Sequence, residues 1–220
     1  MNIKWEHEWD KIYKEQGEVQ SEILPTVRVA KDIFKKCGCK RIMFFFSSRR
    51  RHTRYLAQNG FWVLAVDISE TGIEVTRSKA EKLGLTNVEF AQLDMRNLTV
   101  EDNLLDAILC VWTTRHGTLE DARKNVKEMH RILKPGGVLV VDYVSTEDEN
   151  YGKGIEIEKN TFVNNVEGEE NIPHHYSTTE EIEELYIDFS SIDIIPVDYH
   201  FTDNYGIKHT IKAFVVIEVK

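Results

Sequence analysis

The sequence predicts an α/β fold, one mostly parallel sheet flanked by helices, in a single domain over residues 1–220. Three observations predict it. Short apolar runs alternate with amphipathic stretches of helical period from Pro25 to Val144, the signature of βαβ units with right-handed crossovers. Arg41 to Asp67 reads strand, turn, helix, Gly60 and a second strand closing on a carboxylate, which is how α/β proteins hold the hydroxyls of a ribose-bearing cofactor. The chain then finishes on two extended segments joined by Asp203-Asn204-Tyr205-Gly206, a hairpin that ends the sheet antiparallel.

Each element follows from its residues. Trp5, Trp9, Ile12 and Tyr13 recur at helical spacing, and Pro25 opens a second helix with Val29, Ala30, Ile33 and Phe34 on one face, so residues 1–36 are N-terminal helices. Ile42 to Phe46 is the first strand, about Arg50 to Asn59 a helix, and Trp62 to Val66 the second strand. Ser69 caps a helix carrying Ile73, Thr76, Ala80 and Leu83, which Gly84 ends. Val88 to Leu93 and Leu104 to Trp112 are strands, the latter a continuous apolar run covered on both faces. Thr118 caps the next helix, Lys134-Pro135-Gly136-Gly137 stops it, and Val138 to Val144 is a buried strand. Residues 151–177 are polar and irregular, a candidate substrate lid. Thr178 or Thr179 caps a helix with Ile182, Leu185, Tyr186 and Phe189 on one side, and Ile192 to Phe201 and Lys208 to Val219 form the closing hairpin.

Composition narrows the function classes. A net charge of −9 disfavours nucleic acid, whose binding needs an excess of cations over the contact face. The three cysteines, Cys37, Cys39 and Cys110, read as reduced thiols, and no run has the length of a membrane span or the core of a signal peptide. The expectation is a cytoplasmic protein without a membrane partner; its oligomeric state is not readable.

With this order of elements the chain resembles the class I S-adenosylmethionine-dependent methyltransferases, small bacterial members in particular. Four stretches carry the resemblance in order: Val63-Leu64-Ala65-Val66-Asp67-Ile68-Ser69, Gln92-Leu93-Asp94-Met95, Asp106-Ala107-Ile108-Leu109-Cys110-Val111, and Arg131-Ile132-Leu133-Lys134-Pro135-Gly136-Gly137. The resemblance implies a Rossmann-like three-layer sandwich whose seven-stranded sheet has the order 3-2-1-4-5-7-6 with strand 7 antiparallel. It implies S-adenosyl-L-methionine as cofactor and a small-molecule methyl acceptor as partner. It places Asp67 and Ile68 at the ribose, Asp94 and Met95 at the adenine, Val111 on strand 4 beside the cofactor, and Tyr13 over it from the N-terminal helix.

One stretch departs from the family. Its glycine-rich turn after strand 1 is replaced by Phe44-Phe45-Phe46-Ser47-Ser48-Arg49-Arg50, so an acid is missing at Phe44 and bulk stands at Phe46 and Arg50. Three explanations stand: a degenerate site in a non-catalytic binding or regulatory protein, a site rebuilt for another, anionic ligand around Arg49, Arg50 and Arg51, or an error in the recorded letters. We favour the last, because the tract through Arg54 reads like translated adapter read-through and nothing else has decayed with it. On the letters as given, cofactor affinity is expected to fall.

Methyl transfer rests mainly on alignment of the nucleophile with the methyl group. Trp112, Thr113, Arg115 and His116 follow strand 4 at the carboxyl edge of the sheet, and His116 is the candidate proton acceptor. His174, His175 and Tyr176 are candidates for the substrate mouth, and no metal site is expected.

Overall fold

Apolar runs with β-branched residues build the sheet, and the helices between them cover both of its faces. The computed structural model describes residues 5–16, 22–46, 50–202 and 208–220. In chain order the elements are α1 (Trp5–Gln16), α2 (Pro25–Lys36), β1 (Arg41–Phe46), α3 (Arg50–Gln58), β2 (Trp62–Asp67), α4 (Glu70–Lys82), β3 (Val88–Gln92) and β4 (Leu105–Val111). There follow α5 (Leu119–Ile132), β5 (Leu133–Val144), β6 (Ile155–Glu158), β7 (Thr161–Val163), β8 (His174–His175), α6 (Thr179–Leu185), β9 (Ser191–Thr202) and β10 (Lys208–Val219).

Seven strands form the main sheet in the order β3-β2-β1-β4-β5-β10-β9. The first five are parallel, while β10 runs antiparallel to both β5 and β9. This is the expected topology, with β9 and β10 as its last two strands. The hairpin turn expected at Asp203 to Gly206 lies outside the described residues.

On one face Val27, Ala30 and Phe34 of α2, Leu56 of α3 and Ile73 of α4 pack on Ile42, Phe44, Val63, Ala65 and Leu109. On the other, Val126, Met129 and Ile132 of α5 and Ile182 of α6 pack on Met43, Phe45, Val66, Ile108 and Val141. Burying each side chain larger than alanine contributes roughly 1.5–3 kcal/mol, so the two layers hold the sheet from both sides. Among the described residues no helix is long and apolar enough to cross a membrane.

Local chemistry sets the element ends. Ser69 Oγ accepts from Gly72 N at 3.0 Å, and Thr118 and Asp121 make a reciprocal capping box that opens α5. Thr178 accepts from Glu181 N and opens α6. At the start of β5, Gly136 has φ +77°, and a Cβ on Gly137 would meet Lys134 O at 2.8 Å. Only glycine fits both turns of the chain there.

Three expectations change. The helix before Lys134 ends earlier, at Ile132, and Leu133 already pairs with Leu105, so the Lys-Pro-Gly-Gly run enters β5 instead of preceding it. Leu83 does not share the buried face of α4; it is the C-cap residue and is exposed. Residues 151–177 are not irregular throughout: within them β6, β7 and β8 form a three-stranded antiparallel sheet over a cluster of Val144, Phe162 and Tyr176. The glycines and polar residues of this tract hid strands too short to show periodicity.

Candidate functional site

In an open α/β sheet the carboxyl ends of the strands leave a crevice where the chain departs to helices on opposite faces. Here that crevice is a narrow cleft of about 550 Å³, counted to its open mouth. The ends of β1 and β2 supply Phe45, Val66, Asp67 and Ile68. The loop after β3 supplies Leu93, Asp94, Met95 and Arg96, and the loop after β4 supplies Thr113 and His116. Trp9 and Tyr13 of α1 and Asn125 of α5 close it.

Asp67 ends a buried strand and is itself buried, so its carboxylate must be held by donors. Tyr13 Oη donates to its Oδ2 at 2.6 Å and Ser69 N to its Oδ1 at 2.9 Å. Burial still pushes its pKa up to about 7, against the lowering by these two bonds. Helix α1 is fixed here by a second acid: Asp10 Oδ1 accepts from Ser69 Oγ at 2.5 Å and from Thr71 N at 3.2 Å, at the start of α4. Gly72 leaves room for the Tyr13 ring, since a Cβ there would lie 3.0 Å from it.

Asp94 is reached through the β2–β3 register, Leu93 N donating to Asp67 O at 3.0 Å. Burial would raise its pKa, but the Arg96 guanidinium bonds it through Nη2 at 2.6 Å and Nε at 2.9 Å and holds it below the usual range. Arg96 also reaches Asp121 at 3.4 Å. Both carboxylates therefore face one cleft, one holding a phenol and the other a guanidinium. Asn125 Oδ1 in the same wall is buried and has no hydrogen-bond partner among the described residues.

His116 is buried, not an exposed loop residue. Trp9 packs edge-on against its ring at 4.7 Å, and burial pushes its pKa down to about 4 although Glu169 opposes the shift. Glu169 Oε2 lies 3.5 Å from His116 Nε2, 2.7 Å from His174 Nε2 and 3.1 Å from Arg115 Nη2. Backbone pairing assembles this group: His116 bridges His174, and His175 N donates to Arg115 O at 2.7 Å.

Several expected site residues lie elsewhere. Val111 is buried in the core on the other face of the sheet, because alternation along β4 turns it away from the cleft. His174, His175 and Tyr176 are buried and do not line the mouth; His175 bonds Thr161 at 2.7 Å and Glu181 at 2.5 Å instead. In the tract lacking glycine, Phe44 faces the core beside the ring of His52, and Phe45 is the phenylalanine that lines the cleft. Arg51 is buried and donates to Glu22 O, so it does not clamp a ligand in the cleft. Ser47 to Arg49 and the side chains of Trp5, Phe46 and Arg50 lie outside the described residues. Sequence reasoning missed Arg96, Asn125 and Glu169. Arg96, two residues after Asp94, was within reach of an i to i+2 reading, whereas the other two carry no local signal.

Residues 48–141 match the family described as a methyltransferase domain. The demethylmenaquinone methyltransferase of Bacteroides fragilis is 39% identical over 87 residues, 39% of this chain and 35% of that protein. The ubiquinone/menaquinone biosynthesis C-methyltransferase of Haemophilus ducreyi is 36% identical over 92 residues, 41% of this chain and 34% of that protein. The matched stretch thus spans about a third of these curated relatives. Among solved structures, an S-adenosylmethionine-dependent methyltransferase of Methanosarcina mazei superposes with a TM-score of 0.70 at 19% identity, covering 91% of this chain and 99% of that one. One from Aquifex aeolicus superposes with a TM-score of 0.58 at 19% identity, covering 96% and 97%. At such identities these likenesses establish the fold.

Proposed function

We propose that this chain, which carries a match to the methyltransferase domain over residues 48–141 and the fold of S-adenosylmethionine-dependent methyltransferases, binds S-adenosylmethionine in its cleft and transfers the methyl group to a small molecule. The observation that carries this reading is the convergence of Asp67 and Asp94, from the ends of adjacent parallel strands, on one cleft beside Tyr13. The residues present fit the nucleoside half of the cofactor. Asp67 offers a carboxylate to the ribose hydroxyls, Ile68, Leu93 and Met95 offer apolar walls to the adenine, and Asn125 Oδ1 is a buried acceptor without a partner among the described residues.

When bound, S-adenosylmethionine supplies a methyl group activated by its sulfonium. The chain's own part is to hold and orient. Tyr13 covers the ribose end and keeps Asp67 from bulk water, while Arg96 fixes Asp94 in one rotamer. His116, unprotonated at neutral pH because burial holds its pKa near 4, accepts a proton from an oxygen or nitrogen of the acceptor. Trp9 and His116 line the acceptor side with rings, which suits a planar molecule. The curated relatives are named for quinone substrates, and a quinol-type ring is the acceptor class we assign. The net charge of −9 supports a metabolite over nucleic acid. The turn after β1, without glycine, weakens the grip on the amino-acid half.

The test is transfer of a radiolabelled methyl group from S-adenosylmethionine to small quinols and phenols. The expected result is label in the small-molecule fraction, lost in Asp67→Asn. No transfer by the native chain or by a variant carrying Phe46→Gly, Ser48→Gly and Arg50→Gly would overturn the reading.

A further inference from the structure

Beside the cleft, three side chains able to ligate a metal come together from segments far apart in the chain. His116, Glu169 and His174 present ligand atoms that all lie within 4.8 Å of one another, with both histidines buried and Glu169 nearly so. We propose that this group is a binding site for a divalent first-row transition cation such as zinc, independent of S-adenosylmethionine.

The hydrogen bonding favours it. Asn165 Nδ2 donates to Tyr176 Oη at 2.7 Å, so Asn165 Oδ1, 3.0 Å from His174 Nδ1, accepts that ring's proton. The opposite nitrogen, Nε2, then carries a lone pair, 2.7 Å from a carboxylate oxygen of Glu169. Two acceptors that close need a proton or a metal cation between them. A ring nitrogen fixed by a hydrogen bond on its far side is the usual state of a metal-bound histidine.

The spacing also suits a metal. Donors bound at roughly 2.1 Å and subtending angles between 90° and 109° sit about 3.0–3.4 Å apart. The observed separations from Glu169 Oε2, 2.7 Å to His174 Nε2 and 3.5 Å to His116 Nε2, bracket that range. Two imidazoles and one carboxylate select zinc, iron, cobalt or nickel over magnesium and calcium. Of the three, His116 also lines the cleft, so the site adjoins the acceptor side. A cation there takes the lone pair of His116 and assumes its role by acidifying an acceptor hydroxyl.

Arg115 competes. Its Nη2 bonds the same Glu169 oxygen at 3.1 Å and its Nε faces His116 Nε2 at 3.2 Å, so loading requires the guanidinium to swing away. This gives the proposal a signature. Cobalt(II) is titrated into the purified chain without cofactor and followed by visible absorption, with zinc measured by equilibrium dialysis. The expected result is one equivalent bound with ligand-field bands, affinity lowered at least about 100-fold in Glu169→Gln and in His116→Asn, and raised about 10-fold or more in Arg115→Met. Absence of saturable binding in both the native chain and Arg115→Met overturns the proposal, as does equal binding by Glu169→Gln. Because no cofactor is present, that failure leaves the methyltransferase reading untouched.

Discussion

Glu218 shows how much one side chain can set. It sits on β10, fully buried, and neither carboxylate oxygen has a hydrogen-bond partner among the described residues. Burial, with Asp193 adding, lifts its pKa from 4.5 to about 8. Below about pH 4.5 the group is protonated in both folded and unfolded chains and costs nothing of this kind. From there to pH 8 the unfolded chain releases a proton that the folded chain keeps, so stability is full at low pH and is lost as pH rises through the folded value. Glu218→Gln removes the dependence. Urea unfolding at pH 5 and pH 8 is expected to show the variant more stable at pH 8 by about 1 kcal/mol or more, with a flatter difference between the two. An unchanged pH dependence would contradict the assignment. Asp67, another buried acid raised toward neutrality, differs in having two donors, which favour its anion.

Among the elements, the turn between β1 and α3 is the one that, on the proposed reading, sets how much of a cofactor the chain can grip. Strand, helix and second strand around it are all formed, and β1 pairs with both β2 and β4 in parallel register. What the turn lacks is glycine, which lets backbone approach a ligand closely. Phe44 faces the core, so restoring an acid there would bury a charge; the glycines can be restored without that cost. Phe46→Gly, Ser48→Gly and Arg50→Gly together are expected to tighten S-adenosylhomocysteine binding at least about tenfold by calorimetry, and unchanged affinity would show that this turn does not touch the ligand. The sheet elements were legible because strands buried on both faces are continuous apolar runs and helices carry a 3.6-residue stripe. Within 151–177 neither signal exists: β8 is two residues long and β7 three, and both depend on partners distant in sequence.

At the scale of the molecule, topology turns scattered letters into a site. Tyr13 and Asp67 are 54 residues apart and share a hydrogen bond; so do Arg115 and Glu169, also 54 apart. Asp67, Asp94 and His116 could be nominated from sequence because each lies at or just past a strand end where α/β folds place ligands, and Tyr13 because the family resemblance places it over the cofactor. Glu169 could not, because its role comes from the pairing of the 173–175 segment with the loop after β4. Val111, which the resemblance puts beside the cofactor, instead packs in the core on the other face, as side-chain alternation along β4 requires. The measurement that bears most directly on the account is calorimetric titration of S-adenosylhomocysteine into the native chain and Asp67→Asn between pH 6 and pH 8.5. We predict saturable one-to-one binding by the native chain, strengthening as pH rises through about 7 while Asp67 ionises, and at least about tenfold weaker, pH-independent binding by Asp67→Asn. Equal affinities in the two proteins, or no binding by the native chain at pH 8.5, would contradict it.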